Sequence, residues 1–72
     1  MELIGAFELR LDDDFKKCHA LDLTVEVLER EGDLNAPLAA GKIIDYGADY
    51  VVIAGHQWSR GGKYAFYHPG SL

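Results

Sequence analysis

Hydrophobic and polar residues are patterned most clearly in the second half of the chain. Three apolar runs lie between positions 43 and 68, and short glycine-containing segments separate them. The runs are rich in β-branched and aromatic residues, which favour strands, and glycine readily adopts the positive φ of tight turns. We therefore predict an antiparallel meander with strands at 43–46, 50–58 and 63–68, turning at 47–49 and at Gly61-Gly62.

The register of the last two strands follows if Gly61-Gly62 is a two-residue hairpin turn. The predicted cross-strand pairs are Arg60 with Lys63, Trp58 with Ala65, and His56 with Tyr67. One face of the meander then carries Val52, Ala54, His56, Trp58 and Tyr67. The other face carries Val51, Ile53, Tyr64 and Phe66, and it is the better candidate for the core because it is the more uniformly apolar.

The first half of the chain is predicted to add two strands. Residues 2–11 alternate in period two, and the aspartates at 12–14 end that run and begin a short helical turn through Cys18. Residues 21–30 also alternate strictly, although a helical spacing of apolar residues can be traced through the same segment. A strand is the preferred interpretation because the segment is short and β-branched. Pro37 lies in a connecting loop at 34–40.

Five short strands in a chain of this length are typical of a mainly β fold. We expect a small five-stranded antiparallel sheet, or an SH3-like or OB-like barrel, with at most one short helix. The alternative is an α+β fold with one helix on a four-stranded sheet, which would follow if residues 21–30 were helical. We expect the 72 residues to form a single domain, 1–72.

Length and cysteine content indicate where such a chain would reside. Its one cysteine, Cys18, cannot form an intramolecular disulfide, which favours a reducing compartment. The N-terminal residues lack the basic flank and apolar core of a signal peptide, and no apolar run approaches the roughly 20 residues of a membrane span. We expect a cytoplasmic protein without membrane contact. A homodimer is possible because small domains gain stability by associating.

Charge separates the two halves of the chain. The net charge is −5: residues 1–40 contribute −6, from ten acids against four bases, and residues 41–72 contribute +1. This balance disfavours nucleic acid as a partner. The acidic half suggests an acidic decoy or inhibitor of a nucleic-acid-binding protein, such as a phage counter-defence factor. Solvated surface charge is the simpler explanation.

Motifs for enzyme chemistry are missing from the sequence. It has no P-loop, GxGxxG, GxSxG or HExxH pattern. The candidate metal ligands Cys18, His19, His56 and His68 lack the spacing of a zinc site. We therefore predict a non-enzymatic protein without a catalytic residue, a metal or a cofactor.

Aromatic residues supply the functional hypothesis. Six of the eight lie between positions 46 and 67. Rings beside an arginine are typical of protein interfaces, although in a small protein the same rings can simply form the core. We predict a protein-interaction module that binds a protein partner, or itself, through an aromatic sheet face. The predicted partner-binding residues are His56, Trp58, Arg60, Lys63 and Tyr67.

Overall fold

The protein folds as one six-stranded antiparallel sheet with a single short helix. The computed structural model describes residues 7–32 and 36–70. Its elements, in chain order, are β1 (Phe7–Leu9), α1 (Asp12–Ala20), β2 (Thr24–Glu29), β3 (Ala39–Tyr46), β4 (Tyr50–Ile53), β5 (His56–Ser59) and β6 (Tyr64–His68). The strand order is β1-β6-β2-β3-β4-β5. The prediction of a mainly β fold with one short helix is confirmed, whereas the narrower SH3-like or OB-like assignment stays a prediction.

Strand β3 joins the two halves of the sheet. Its first half, Ala39–Lys42, pairs with β2, and its second half, from Ile43 to Tyr46, pairs with β4. The register shifts between Ile43 and Asp45, which is the signature of a β-bulge. A bulge bends the strand that carries it, so one long strand can serve two partners that face in different directions.

The ambiguous segment at 21–30 is a strand. Val25 and Val27 are fully buried, and the strand lies between β3 and β6. Strict alternation and β-branching therefore gave the correct secondary structure, and the α+β alternative is wrong. Of the strand predicted at 2–11, residues 2–6 lie outside the described part, and Phe7–Leu9 form β1.

Helix α1 begins where the aspartates were expected to start one, and it continues to Ala20. The Asp14 carboxylate accepts the backbone N–H groups of Arg10 and Leu11, each at 2.9 Å, and these hydrogen bonds lower the pKa of Asp14. Phe15 and Cys18, one turn apart, are buried. In the described residues, no helix has the length and apolar character needed to cross a membrane.

The core lies between the helix and the bent sheet. Its buried members come from every element except β5: Leu9, Phe15, Cys18, Val25, Val27, Ile43, Val51, Ile53 and Phe66. Each large apolar side chain buried in this way contributes roughly 1.5–3 kcal/mol relative to exposure. The second half of the chain supplies four of these nine residues, and all of the predicted core face except the half-buried Tyr64 is buried.

Two predicted features of the meander are wrong. The run at 50–58 is two strands, because the chain reverses at Ala54-Gly55, where φ is 55° and 78°. Both values are positive, as a type I′ hairpin turn requires. In addition, Gly61-Gly62 is not a hairpin turn, because β6 pairs with β1 and β2 and not with β5. These glycines lie in a crossover that carries the chain from one edge of the sheet to a position between two other strands.

Candidate functional site

The β4–β5 hairpin determines which side chains the candidate site contains. Its register places Trp58 opposite Val51 and His56 opposite Ile53. Directly opposed residues share a face, so both rings lie on the face that carries the core residues of β4. The prediction had placed them with Val52 on the other face. The early turn at Ala54-Gly55 reverses the chain before His56 and Trp58 and so places both rings on the core face.

Trp58 is half-buried at the margin of the core. Its Nε1 donates a hydrogen bond of 3.1 Å to the carbonyl oxygen of Ile53. Its ring meets Tyr64 edge to face, with centroids 5.3 Å apart, and meets His56 at 6.1 Å. The indole is therefore fixed by the protein on one side and accessible on the other, so it is both a packing residue and a possible contact residue.

Strand β5 forms one edge of the sheet. Within the described ranges it pairs with β4 alone, and His56, Gln57 and Ser59 are exposed. We call the residues His56–Ser59 the β5 edge. In a two-residue hairpin the two residues that flank the turn form a hydrogen-bonded pair. The pairs that follow then alternate between non-hydrogen-bonded and hydrogen-bonded. The outward backbone groups are consequently those of Gln57 and Ser59.

Arg60 turns inward, away from the β5 edge. Its side chain is only 9% exposed and forms an ion pair of 2.7 Å with Asp12. The same guanidinium donates to the carbonyl of Gly47 and lies over the ring of Phe15, 4.2 Å from its centroid. Because Asp12 and Phe15 belong to α1, these contacts link the chain after β5 to the helix.

Lys63 and Tyr67, the remaining predicted residues, lie in different places. Lys63 is exposed, and its Nζ lies 5.8 Å from the ring centroid of Tyr64, which in turn contacts Trp58. Tyr67 is opposite Glu26 and Glu8 in the middle of the β1-β6-β2 part of the sheet. Burial, with the nearby Glu8 carboxylate, raises the pKa of its phenol.

The predicted pairing of His56 with Tyr67 is therefore wrong, because β5 and β6 are not neighbours in the sheet. The structure brings His56 and Trp58 together and connects them to Lys63 through Tyr64. The sequence pattern places Tyr64 on the core face alone and does not single out Gln57. Gly55, inside an apolar run, was the sequence signal that could have revealed the turn and therefore the separate strand β5.

Other chemistry-bearing residues do not gather at this edge. Cys18 is a free, fully buried thiol, and burial raises its pKa. His68 lies on β6, where its Nδ1 is 2.8 Å from the carbonyl oxygen of Thr24. In the part of the chain that the structure describes, no three His, Cys, Asp or Glu side chains are grouped as metal ligands would be.

Comparison with protein-family models, with curated proteins and with solved structures finds no match for this chain.

Proposed function

We propose that this protein is a non-enzymatic interaction module that binds an extended segment of a partner protein along the β5 edge. The observation that carries the proposal is an exposed edge strand beside a half-buried tryptophan. An added strand would take its affinity from backbone hydrogen bonds and its specificity from contacts with alternate side chains. The outward groups of Gln57 and Ser59 would supply the hydrogen bonds.

The composition of β5 supports this proposal. Natural proteins protect edge strands with charged residues, proline or bulges. The sequence His-Gln-Trp-Ser contains neither a lysine nor an acid nor a proline, and no register shift interrupts its pairing with β4. Charge, proline and bulges therefore do not oppose strand addition along these four residues.

Side chains next to the edge would select the partner. Trp58 and His56 lie on one face, with Tyr64 and Lys63 beyond them. Aromatic rings with polar tips are enriched where interfaces gain most of their energy. We propose an incoming strand with an apolar residue over Trp58 and, next to it, an acidic residue that reaches Lys63.

The partner could be a second copy of the chain, with two β5 strands pairing antiparallel about a twofold axis. Light scattering over a range of protein concentrations separates this outcome from binding to a different protein. The compartment that we propose is the reducing cytoplasm, because the single cysteine is an unpaired, buried thiol.

A decoy function, based on the acidic half, is our second candidate, and the structure gives two of the aspartates at 12–14 other roles. Asp12 pairs with Arg60, and Asp14 accepts two backbone N–H groups at the start of α1. Salt distinguishes the candidates: a decoy complex should weaken steeply as ionic strength rises, whereas an aromatic edge should be less affected.

The sharpest test substitutes Gln57, whose N–H points outward. Gln57→Pro removes that donor without removing a hydrogen bond to β4, and proline is tolerated on edge strands. Gln57→Ala, the matched control, keeps the donor. We expect the partner, or the dimer, to be retained by wild type and by Gln57→Ala and lost by Gln57→Pro.

The readouts are affinity capture from the native host with the three baits, and light scattering of the three purified proteins. Circular dichroism verifies that Gln57→Pro is folded. If the folded Gln57→Pro variant binds the same partner as wild type, the β5 edge is not the binding surface.

A further inference from the structure

A cavity of about 290 Å³ lies beside the end of β1 and the start of α1. Its described lining includes Arg10, Arg30 and Arg60, which are all of the arginines in the sequence. None of the four lysines is among these lining residues. The fold thus brings three distant arginines to one place, which we call the arginine pocket.

Two of the three guanidinium groups are held in place by backbone carbonyls. Arg30 donates from Nε to Gly62, at 2.9 Å, and from Nη2 to Tyr64, at 3.2 Å. Arg60 donates to Gly47 and is almost fully buried. Arg10 has a side chain that is 73% exposed and contacts Glu8. Because Arg60 is already paired with Asp12, Arg30 is the fixed cationic group that a ligand could reach, and Arg10 is the one that is free to adjust.

The lining carries an excess of positive charge. Glu8 is the one acid among the described lining residues, and Asp12, outside the lining, pairs with Arg60 at 2.7 Å, so these five groups together leave +1 in a chain of net charge −5. Both Arg10, at 2.8 Å, and Arg30, at 3.6 Å, share the Glu8 carboxylate. One carboxylate cannot satisfy two guanidinium groups that have five N–H donors each.

We propose that the arginine pocket binds a small phosphate monoester. The planar fork of arginine matches phosphate oxygens in pairs, which the ammonium group of lysine cannot do. A phosphate monoester is largely a dianion at neutral pH, so it is attracted by Arg10 and Arg30, which share only the Glu8 carboxylate. The volume lies at the lower end of the range for small-molecule sites, and the half-buried ring of Tyr64 offers a wall for the organic part.

Phenyl phosphate is the probe for this proposal, titrated into the ¹⁵N-labelled protein by NMR. We expect saturable shifts in the signals of Arg10, Arg30 and Tyr64. Benzoate has the same ring with a single negative charge and should bind at least about tenfold more weakly, because it cannot engage the lining with two charges. Inorganic phosphate should also be weaker, because it leaves the ring of Tyr64 uncovered.

Two variants with the same change in net charge locate the site. Arg10→Gln should weaken phenyl phosphate about tenfold or more, because it removes a charge-assisted hydrogen bond. Lys16→Gln, at an exposed position on α1 outside the lining, should change affinity by less than about twofold. Arg10 is exposed, so the fold should survive its replacement, and circular dichroism checks this.

Three results would overturn the proposal. They are no saturable binding up to about 10 mM, equal weakening in the two variants, or benzoate or inorganic phosphate binding as tightly as phenyl phosphate. Without saturable binding, the pocket is not a phosphate site. Equal weakening in the two variants would mean that only the net charge of the protein attracts the ligand. Equally tight binding of benzoate or inorganic phosphate would mean that the pocket does not select a phosphate monoester.

Discussion

The central carbon of the Arg60 guanidinium group lies over the ring of Phe15, 4.2 Å from the ring centroid. The pair joins the first turn of α1 to the segment that follows β5, 45 positions later in the chain. Phe15 is fully buried and also meets Phe66 edge to face, so the arginine covers one end of the core. Arg60 therefore has a structural role, and its role in partner binding stays a prediction.

Replacing Arg60 should destabilise the fold. Arg60→Ala removes the cation–π contact, the hydrogen bond to Gly47 and the ion pair with Asp12, and we expect a loss of about 2 kcal/mol in the free energy of unfolding. Arg60→Lys should lose about half as much, because it keeps the charge and loses the planar fork. Urea denaturation measures both values.

Lys63→Ala is the matched control, because Lys63 is a cation three positions away and is exposed. Its effect should stay within about 0.5 kcal/mol. If Arg60→Ala destabilised the protein no more than this control, the buried contacts of Arg60 would not contribute to the free energy of unfolding. A role of Arg60 in partner binding would then be the better explanation of its position.

Helix α1 should lose stability in acid through one aspartate. The pKa of Asp14 is lowered by hydrogen bonds from the Leu11 and Arg10 backbone N–H groups. A carboxyl group with a lowered pKa in the folded state stabilises the protein above its unfolded pKa of about 4, and this contribution disappears as the pH falls through the folded pKa. Asp14→Asn should cost about 1 kcal/mol at neutral pH.

The difference between wild type and Asp14→Asn should therefore shrink as the pH falls below about 4. Thermal unfolding at a series of pH values measures it. Asp13→Asn is the control, since Asp13 is the exposed neighbour in the same turn. A difference that does not depend on pH would show that the two hydrogen bonds do not require the charged form of the carboxylate.

The local pattern of the sequence was sufficient for β2 and for part of the core. Alternation identified β2, and the apolar face of the second half supplied Val51, Ile53 and Phe66 to the core. Alternation reports which residues share a face within one strand, and this information is local. Alternation therefore gave the correct face of each residue wherever the first and last residues of a strand were predicted correctly.

The predicted arrangement of the binding face, with His56 opposite Tyr67, is wrong because strand pairing is not local. A glycine pair between two apolar runs indicates a change of direction, and it does not say which strand the next run will join. Here β6 enters between β1 and β2, so its partners are Leu9 and Val27 instead of residues of β5. Tyr67 was thereby separated from His56, and the convergence of three arginines on one cavity was not visible in the sequence.

The buried thiol of Cys18 should be protected from reagents. The side chain is fully buried, and burial raises its pKa, so the reactive thiolate is scarce in the folded state. We expect modification by a thiol-specific reagent to be at least about a hundredfold slower than in urea. The rate should depend on urea in the way that unfolding does. Modification of the native protein at the rate of a free cysteine would place this thiol at the surface.

Ala54 is the position where one substitution should stabilise the protein. The residue has φ of 55°, a left-handed conformation that a side chain with a Cβ adopts at a cost of roughly 1 kcal/mol. Asparagine tolerates this conformation, and Asn-Gly is the preferred pair for a type I′ turn. Since Ala54 is exposed, Ala54→Asn should disturb no packing and should raise the free energy of unfolding by about 0.5 kcal/mol.

Ala48→Asn is the control for Ala54→Asn. Ala48 is exposed in the turn between β3 and β4, and it is not among the described residues with positive φ, so asparagine should bring no gain there. Within the described ranges β5 is attached to the sheet through β4 alone, so a better turn should also slow hydrogen exchange at Trp58, which pairs with Val51. An Ala54→Asn protein that is stabilised without added protection in β5 would mean that the turn is not what holds the β5 edge in place. The edge would then depend on the indole, through its contacts with Ile53 and Tyr64.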